Sequence, residues 1–206
     1  MVIVVFATDD EQWNALTTNS VGVNWIKGSN DFNCANYPDA NAFFLLNNID
    51  AFNFLQTKKT VFINSVVDTL ASLNTPQNVV RINGWHGFLQ KNVWEIAGTV
   101  DENSKGICTT LSKKISRVKD EPGMVAAKII AMIINEAYIA LAEEVSTKSE
   151  IDTAMKLGTN YPYGPFEWAE KIGIKNIYLL LQKLSLTDKR CLPAVELAKA
   201  ATQNTL

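Results

Sequence analysis

Histidine, cysteine and excess positive charge are all scarce in this chain of 206 residues. It has one histidine and three cysteines, Cys34, Cys108 and Cys191, which lie far apart. With no short Cys/His cluster, a tetrahedral zinc site is not expected, and no metal is implied. With no CxxC pair and an odd thiol count, the cysteines read as reduced, as in a cytoplasmic protein. Lys and Arg total 19 against 21 Asp and Glu, a formal charge of −2. That excludes the cationic surface by which a generic nucleic-acid binder displaces counterions. Long uninterrupted apolar runs are missing too. The stretch from Met124 to Leu141 contains Lys128, Asn135 and Glu136, which are costly in lipid, so no membrane span is expected. The opening Met1–Phe6 has neither the positive flank nor the cleavage site of a signal peptide.

What is present suffices for a folded protein. The chain is 47% hydrophobic and 19% charged, long enough for a core without disulfide or metal, in one large or two small domains. Its character changes near residue 118. Before it, apolar runs at Val2–Ala7, Val21–Ile26, Ala42–Leu46, Thr60–Asn64, Val79–Gly84 and Val93–Ala97 read as strands, most of them buried on both faces. Asp9–Thr17 and Ile49–Gln56 read as helices between them, a βαβ rhythm that implies a mostly parallel sheet. After residue 120 the period is helical. Glu121-Pro122-Gly123 is expected to open a helix running to about Glu144. Thr147-Lys148-Ser149-Glu150 is a capping box for a second helix, ending at Gly158. Pro165–Ile172, Ile174–Leu184 and Pro193–Ala201 read as three more. The expected organisation is an α/β domain at 1–118 followed by an all-α domain at 119–206.

Several motifs in the second half stand in a particular order: Val118-Lys119-Asp120-Glu121-Pro122-Gly123-Met124-Val125, Asn135-Glu136-Ala137, Ile151-Asp152, Met155-Lys156-Leu157-Gly158, Tyr161-Pro162-Tyr163-Gly164-Pro165-Phe166-Glu167 and Asp188-Lys189-Arg190. Together they resemble the C-terminal domain of the 3-hydroxyacyl-CoA dehydrogenase family. Upstream, Asn41–Leu46, Val61–Ser65, Trp85-His86-Gly87-Phe88 and Val93-Trp94-Glu95-Ile96 resemble strands and turns of its N-terminal domain. The resemblance implies a shortened Rossmann-like domain followed by a helical domain of the 6-phosphogluconate dehydrogenase C-terminal-like type.

It also implies a catalytic pair. In the family, the histidine matching His86 takes the proton from the substrate 3-hydroxyl while hydride leaves C3 for a nicotinamide. The glutamate matching Glu95 orients the imidazole. Imidazole suits proton exchange near neutrality, and a spacing of nine residues is compatible with two neighbouring strands. Read from the residues alone, a histidine between Trp85 and Phe88 is more often a packing residue, and a strand glutamate is usually solvated.

The resemblance implies NAD as cofactor, an (S)-3-hydroxyacyl-CoA such as 3-hydroxybutyryl-CoA as substrate in fatty-acid metabolism, and a homodimer built through the helical domain. Met132, Ile133 and Tyr138 are candidates for that surface. The family's Gly-x-Gly-x-x-Gly turn is absent, however. Phe6-Ala7-Thr8-Asp9-Asp10-Glu11-Gln12-Trp13 has no glycine, and Thr8-x-x-Glu11 is itself a capping box. Three carboxylates, Asp9, Asp10 and Glu11, stand where a diphosphate would meet the helix end. Like charges at 4 Å repel by about 1 kcal/mol in water and about 4 at an effective dielectric near 20. NAD binding in the family's manner is therefore expected to be impaired, and no residue is assigned to the cofactor. Asp31 falls about where the dinucleotide fingerprint places a ribose-binding acid, a signal that means little without the glycine turn. The segment before Ala42 is short, Val66 and Ala127 replace the family's serine and asparagine, and Leu89-Gln90 replaces its Asn-Pro. The alternative function is a non-catalytic relative that serves as a binding or dimerisation module.

Overall fold

Apolar runs rich in valine, isoleucine and phenylalanine form a seven-stranded sheet. The computed structural model describes residues 1–6, 9–18, 20–47 and 49–203. The chain divides into two units, Met1–Met124 and Val125–Leu206. The expected break came after residue 118. Residues 119–124 stay with the first unit because Asp120 accepts hydrogen bonds from Leu70 N and Ala71 N, and Gly123 N donates to Val66 O.

The first unit runs β1 (Val2–Phe6), α1 (Asp10–Thr17), β2 (Asn24–Lys27), β3 (Ala42–Leu45), β4 (Thr60–Asn64), β5 (Val79–Ile82), β6 (Val93–Gly98), α2 (Glu102–Thr110) and β7 (Lys114–Arg117). The strands lie in the order β2-β1-β3-β4-β5-β6-β7. Every pair is parallel except β5 and β6, whose antiparallel register joins Ile82 to Ile96. The chain leaves β1 for β2 on one side and returns to β3 on the other. Open sheets with parallel strands bind ligands beyond the carboxyl ends at such a switch point.

Alternation along the strands divides the core. Ile3, Val5, Phe44, Phe62, Ile82 and Ile96 face Leu16 of α1 and Ile107 and Leu111 of α2. On the opposite face Val4, Phe6, Phe43, Val61 and Ile63 are covered by loop residues, among them Cys34, Phe52 and Tyr37. Helices are replaced there by single 3₁₀ turns. The helix expected at Ile49–Gln56 is two such turns, Ile49–Ala51 and Phe54–Gln56. Asn53 caps Leu55 N with its own side chain at 3.0 Å, a local bond that competes with helix continuation. Two elements had no clear sequence signal. The α2 stretch contains Gly106 and two threonines and depends on its cap, Asp101 Oδ1 to Ser104 N at 2.8 Å. Strand β7 is a short edge strand with a single apolar residue, Ile115.

The second unit contains α3 (Ala126–Ala142), α4 (Lys148–Thr159), α5 (Pro165–Ile172), α6 (Ile174–Ser185) and α7 (Val195–Gln203). Helix α3 does not open at Glu121 as expected. Gly123 and Met124 adopt φ of 77° and 49°, and left-handed residues cannot lie within a right-handed helix. The capping box of Thr147 and Glu150 is present. Two motif residues prove to be structural. Asp152 of α4 caps the next helix, α5, accepting from Phe166 N at 2.8 Å and Glu167 N at 3.2 Å. Asn135 of α3 donates to Leu192 O at 2.9 Å and accepts from Ala194 N at 2.8 Å. Tyr138, considered for a pairing surface, is buried within its own unit, whereas Met132 and Ile133 are half-buried. Among the described residues no helix is long and apolar enough to cross a membrane.

Candidate functional site

The site is built at the carboxyl edge of the parallel strands. Asn64, the last residue of β4, accepts from Gly84 N at 2.9 Å and donates to Leu46 O, just past β3, at 3.1 Å. A Cβ on Gly84 would come within 2.6 Å of the Asn64 side chain, so glycine is what allows this approach. Gln12, in the first turn of α1, donates to Gly84 O at 3.4 Å and accepts from Asn47 Nδ2 at 3.0 Å. These amides hold the start of α1 against the segment that follows β5, and that segment carries His86.

The His86 side chain is 12% exposed, and its Nδ1 meets the carboxylate of Glu11. A carboxylate on one ring nitrogen fixes the tautomer and orientation of an imidazole. The sequence makes Glu11 part of a capping box and an obstacle to an anion. Its contact with His86 has no signature in the sequence, because the two residues are distant along the chain and only the approach of the start of α1 to the segment after β5 joins them. Glu95 is half-buried on β6. It stands one residue beyond the last β5–β6 pair, Ile82 with Ile96, on the side toward His86.

The cap of α1 differs from expectation. Asp9 holds it, Oδ1 accepting from Gln12 N at 2.7 Å. Thr8, the expected cap, and Ala7, the expected end of the first strand, lie outside the described residues. The helix begins at Asp10, so the residue just before it is the one whose side chain reaches the third amide. Asp10 pairs with Lys27 at 3.1 Å. The amide a diphosphate would use already has a carboxylate, and the positive helix end is complemented by the protein's own acids. The described residues at this helix end do not fit the diphosphate of NAD.

Behind the site, Arg81 of β5 is fully buried. It donates from Nε to Ser65 O at 2.7 Å, from Nη2 to Val66 O at 3.2 Å, and from Nη1 to Asp120 at 2.5 Å. Burial pushes the guanidinium down from its ordinary range, opposed by Asp120. Burial works to raise the Asp120 carboxyl, but bonds from Arg81, Leu70 N and Ala71 N outweigh it and hold it below the usual carboxylate range. This clamp binds the loop carrying Val66 to the Asp120–Gly123 motif. Val66 and Ala127 are both buried, and their side chains offer no hydrogen bond. Among the described residues no cluster of His, Cys, Asp and Glu could hold a metal ion.

Residues 123–202 match the model of the 3-hydroxyacyl-CoA dehydrogenase C-terminal domain. The helical unit is thus similar to that C-terminal domain over nearly its whole length. It is 47% identical over 72 residues to 3-hydroxyadipyl-CoA dehydrogenase of Escherichia coli, covering 35% of this chain and 15% of that protein. It is 34% identical over 131 residues to 3-hydroxybutyryl-CoA dehydrogenase of Clostridioides difficile, covering 58% and 45%. The chain thus spans less than half the length of either relative. In fold it is similar to the solved (S)-3-hydroxybutyryl-CoA dehydrogenase of Ralstonia eutropha, with a TM-score of 0.74 at 19% identity over 98% of this chain and 93% of the other. The mostly parallel sheet followed by a helical unit is the architecture of this dehydrogenase family, with the glycine turn of its nucleotide site replaced.

Proposed function

We propose that the chain is a 3-hydroxyacyl-CoA dehydrogenase-type oxidoreductase acting on (S)-3-hydroxyacyl-CoA thioesters such as 3-hydroxybutyryl-CoA. His86 takes the proton of the substrate 3-hydroxyl; Glu11 holds its Nδ1, and Glu95 of β6 is the carboxylate that the resemblance pairs with it. The observation that carries this reading is His86 itself. It is a mostly buried imidazole at the carboxyl edge of the sheet, with Nδ1 engaged by a carboxylate. A ring held in this way by one nitrogen presents the other in a set direction, which is the requirement for proton transfer to or from a substrate oxygen. The relatives' names support the substrate class.

The hydride that leaves C3 needs a nicotinamide acceptor, NAD by resemblance to the family, and the carboxylate-capped start of α1 calls for a binding mode without the family's helix–diphosphate contact. The residues described here account for the proton and its orientation only. The three cysteines, all buried and none in a disulfide, agree with a reducing compartment such as the cytoplasm. The test is loss of NADH or NADPH absorbance in the presence of acetoacetyl-CoA. Turnover that falls by about 10²–10⁴ in His86→Gln supports the reading. No turnover with either nucleotide, at high enzyme concentration and across 3-oxoacyl chain lengths, overturns it.

A further inference from the structure

Three residues before His86, the amide of Asn83 is in an unusual state. Asn83 is 5% exposed. Its Oδ1 accepts from Trp85 N at 3.2 Å, and this identifies the other terminal atom as the nitrogen, a hydrogen-bond donor. That Nδ2 is buried and has no hydrogen-bond partner among the described residues. Buried donors are nearly always satisfied, and one left open in a native fold calls for an explanation such as an absent ligand.

Its position suggests which ligand. The β5–β6 register pairs Val80 with Gly98, Arg81 with Ala97 and Ile82 with Ile96. Carried one step further it sets Asn83 opposite Glu95. Residues directly opposite in an antiparallel pair project from the same face. Asn83 therefore shares a face with Glu95, one member of the proposed pair, and lies three residues before His86, the other. In the neighbouring loop the Ser65 hydroxyl already donates to Asp68 O at 2.8 Å, and Val66 is aliphatic, its carbonyl taken by Arg81 and Gly123 N. Asn83 is thus the polar side chain at hand with a donor to offer an oxygen bound beside the imidazole.

We propose that Asn83 contacts substrate, its Nδ2 donating to the oxygen on C3 of the acyl group. This inference rests on the reading of the chain as acting on 3-hydroxyacyl-CoA. As a ketone or a hydroxyl, that oxygen accepts more than one hydrogen bond. His86 exchanges its proton while the amide, which does not titrate, fixes its place. A fixed dipole aimed at an oxygen that gains negative charge as its proton leaves favours that charge without reorganisation.

The test compares acetoacetyl-CoA with free CoA by isothermal titration, in the unaltered chain, in Asn83→Ala and in Asn83→Asp. The aspartate keeps an acceptor for Trp85 N and lacks the donor, so it carries the test if alanine at this buried position fails to fold. Folding is checked by circular dichroism and thermal melting. The expected result is a preference for acetoacetyl-CoA over CoA that shrinks by roughly three- to tenfold in the folded variants, the worth of one hydrogen bond. An unchanged preference in a folded variant overturns the role of Asn83 and leaves the proposed function standing. An unaltered chain that binds CoA with no preference for the acetoacetyl group also overturns it. Failure of the unaltered chain to bind either compound removes the acyl-CoA reading itself, and this inference with it.

Discussion

Glu11, in the first turn of α1, contacts Nδ1 of His86, in the segment after β5. A carboxylate at the start of the helix is thereby turned to hold the single histidine. The contact predicts a fixed tautomer. In its neutral form His86 carries its proton on Nδ1, donated to Glu11. Because the chain has one histidine, its ring nitrogens give one unambiguous set of ¹H–¹⁵N correlations. Glu11→Ala is expected to convert a single-tautomer pattern into a mixed one and to lower turnover of acetoacetyl-CoA about tenfold, a loss of positioning rather than of the acid–base group. An unchanged tautomer pattern would argue that another group orients the ring.

The clamp between Arg81 and Asp120 sets how the first unit responds to acid. Asp120 titrates below the ordinary carboxylate value in the folded chain, so the folded state prefers it ionised. The stability it contributes is fully present above the unfolded value of about 3.9 and is lost as pH falls through the lower folded value. Asp120→Asn should remove this part of the acid dependence. Asp120→Ala leaves a buried guanidinium without its partner and should cost about 3–5 kcal/mol in urea unfolding. A loss below 1 kcal/mol would show that solvent reaches Arg81.

In the second unit the Tyr161–Glu167 motif is a capping device. A Cβ at Gly164 would stand 2.4 Å from the Asp152 side chain, which itself caps the start of α5. Gly164→Ala is expected to cost about 1–3 kcal/mol through overpacking, and Asp152→Ala about 0.5–2 kcal/mol through loss of the cap. Both should lower the melting temperature, and both should leave the His86 tautomer unchanged.

Burial pushes the Cys34 and Cys108 thiols up to about 11, and Cys191 is buried as well. The thiolate is the reactive form. Iodoacetamide at pH 8 should therefore leave the native chain unmodified and label three cysteines in denaturant, as read by mass spectrometry. Rapid labelling of the native protein would contradict the packing around these positions.

Local residue chemistry sets where apolar runs become strands, where periodicity turns helical, and which capping and turn motifs mark the helical unit, as at Thr147 with Glu150 or at Pro165. The sequence overreaches where local bonds compete, at the 3₁₀ turns of residues 49–56 and at the left-handed pair Gly123 and Met124, and it misses α2 and β7, whose residues have weak preferences. Only the tertiary structure decided that Glu11 turns to His86, that Asp9 caps α1, and that Arg81 is sealed beneath the site with Asp120. These partners lie far apart along the chain or depend on the start of a helix to within one residue. Such pairings follow from sheet order and helix packing, which bring together atoms that no spacing in the sequence relates.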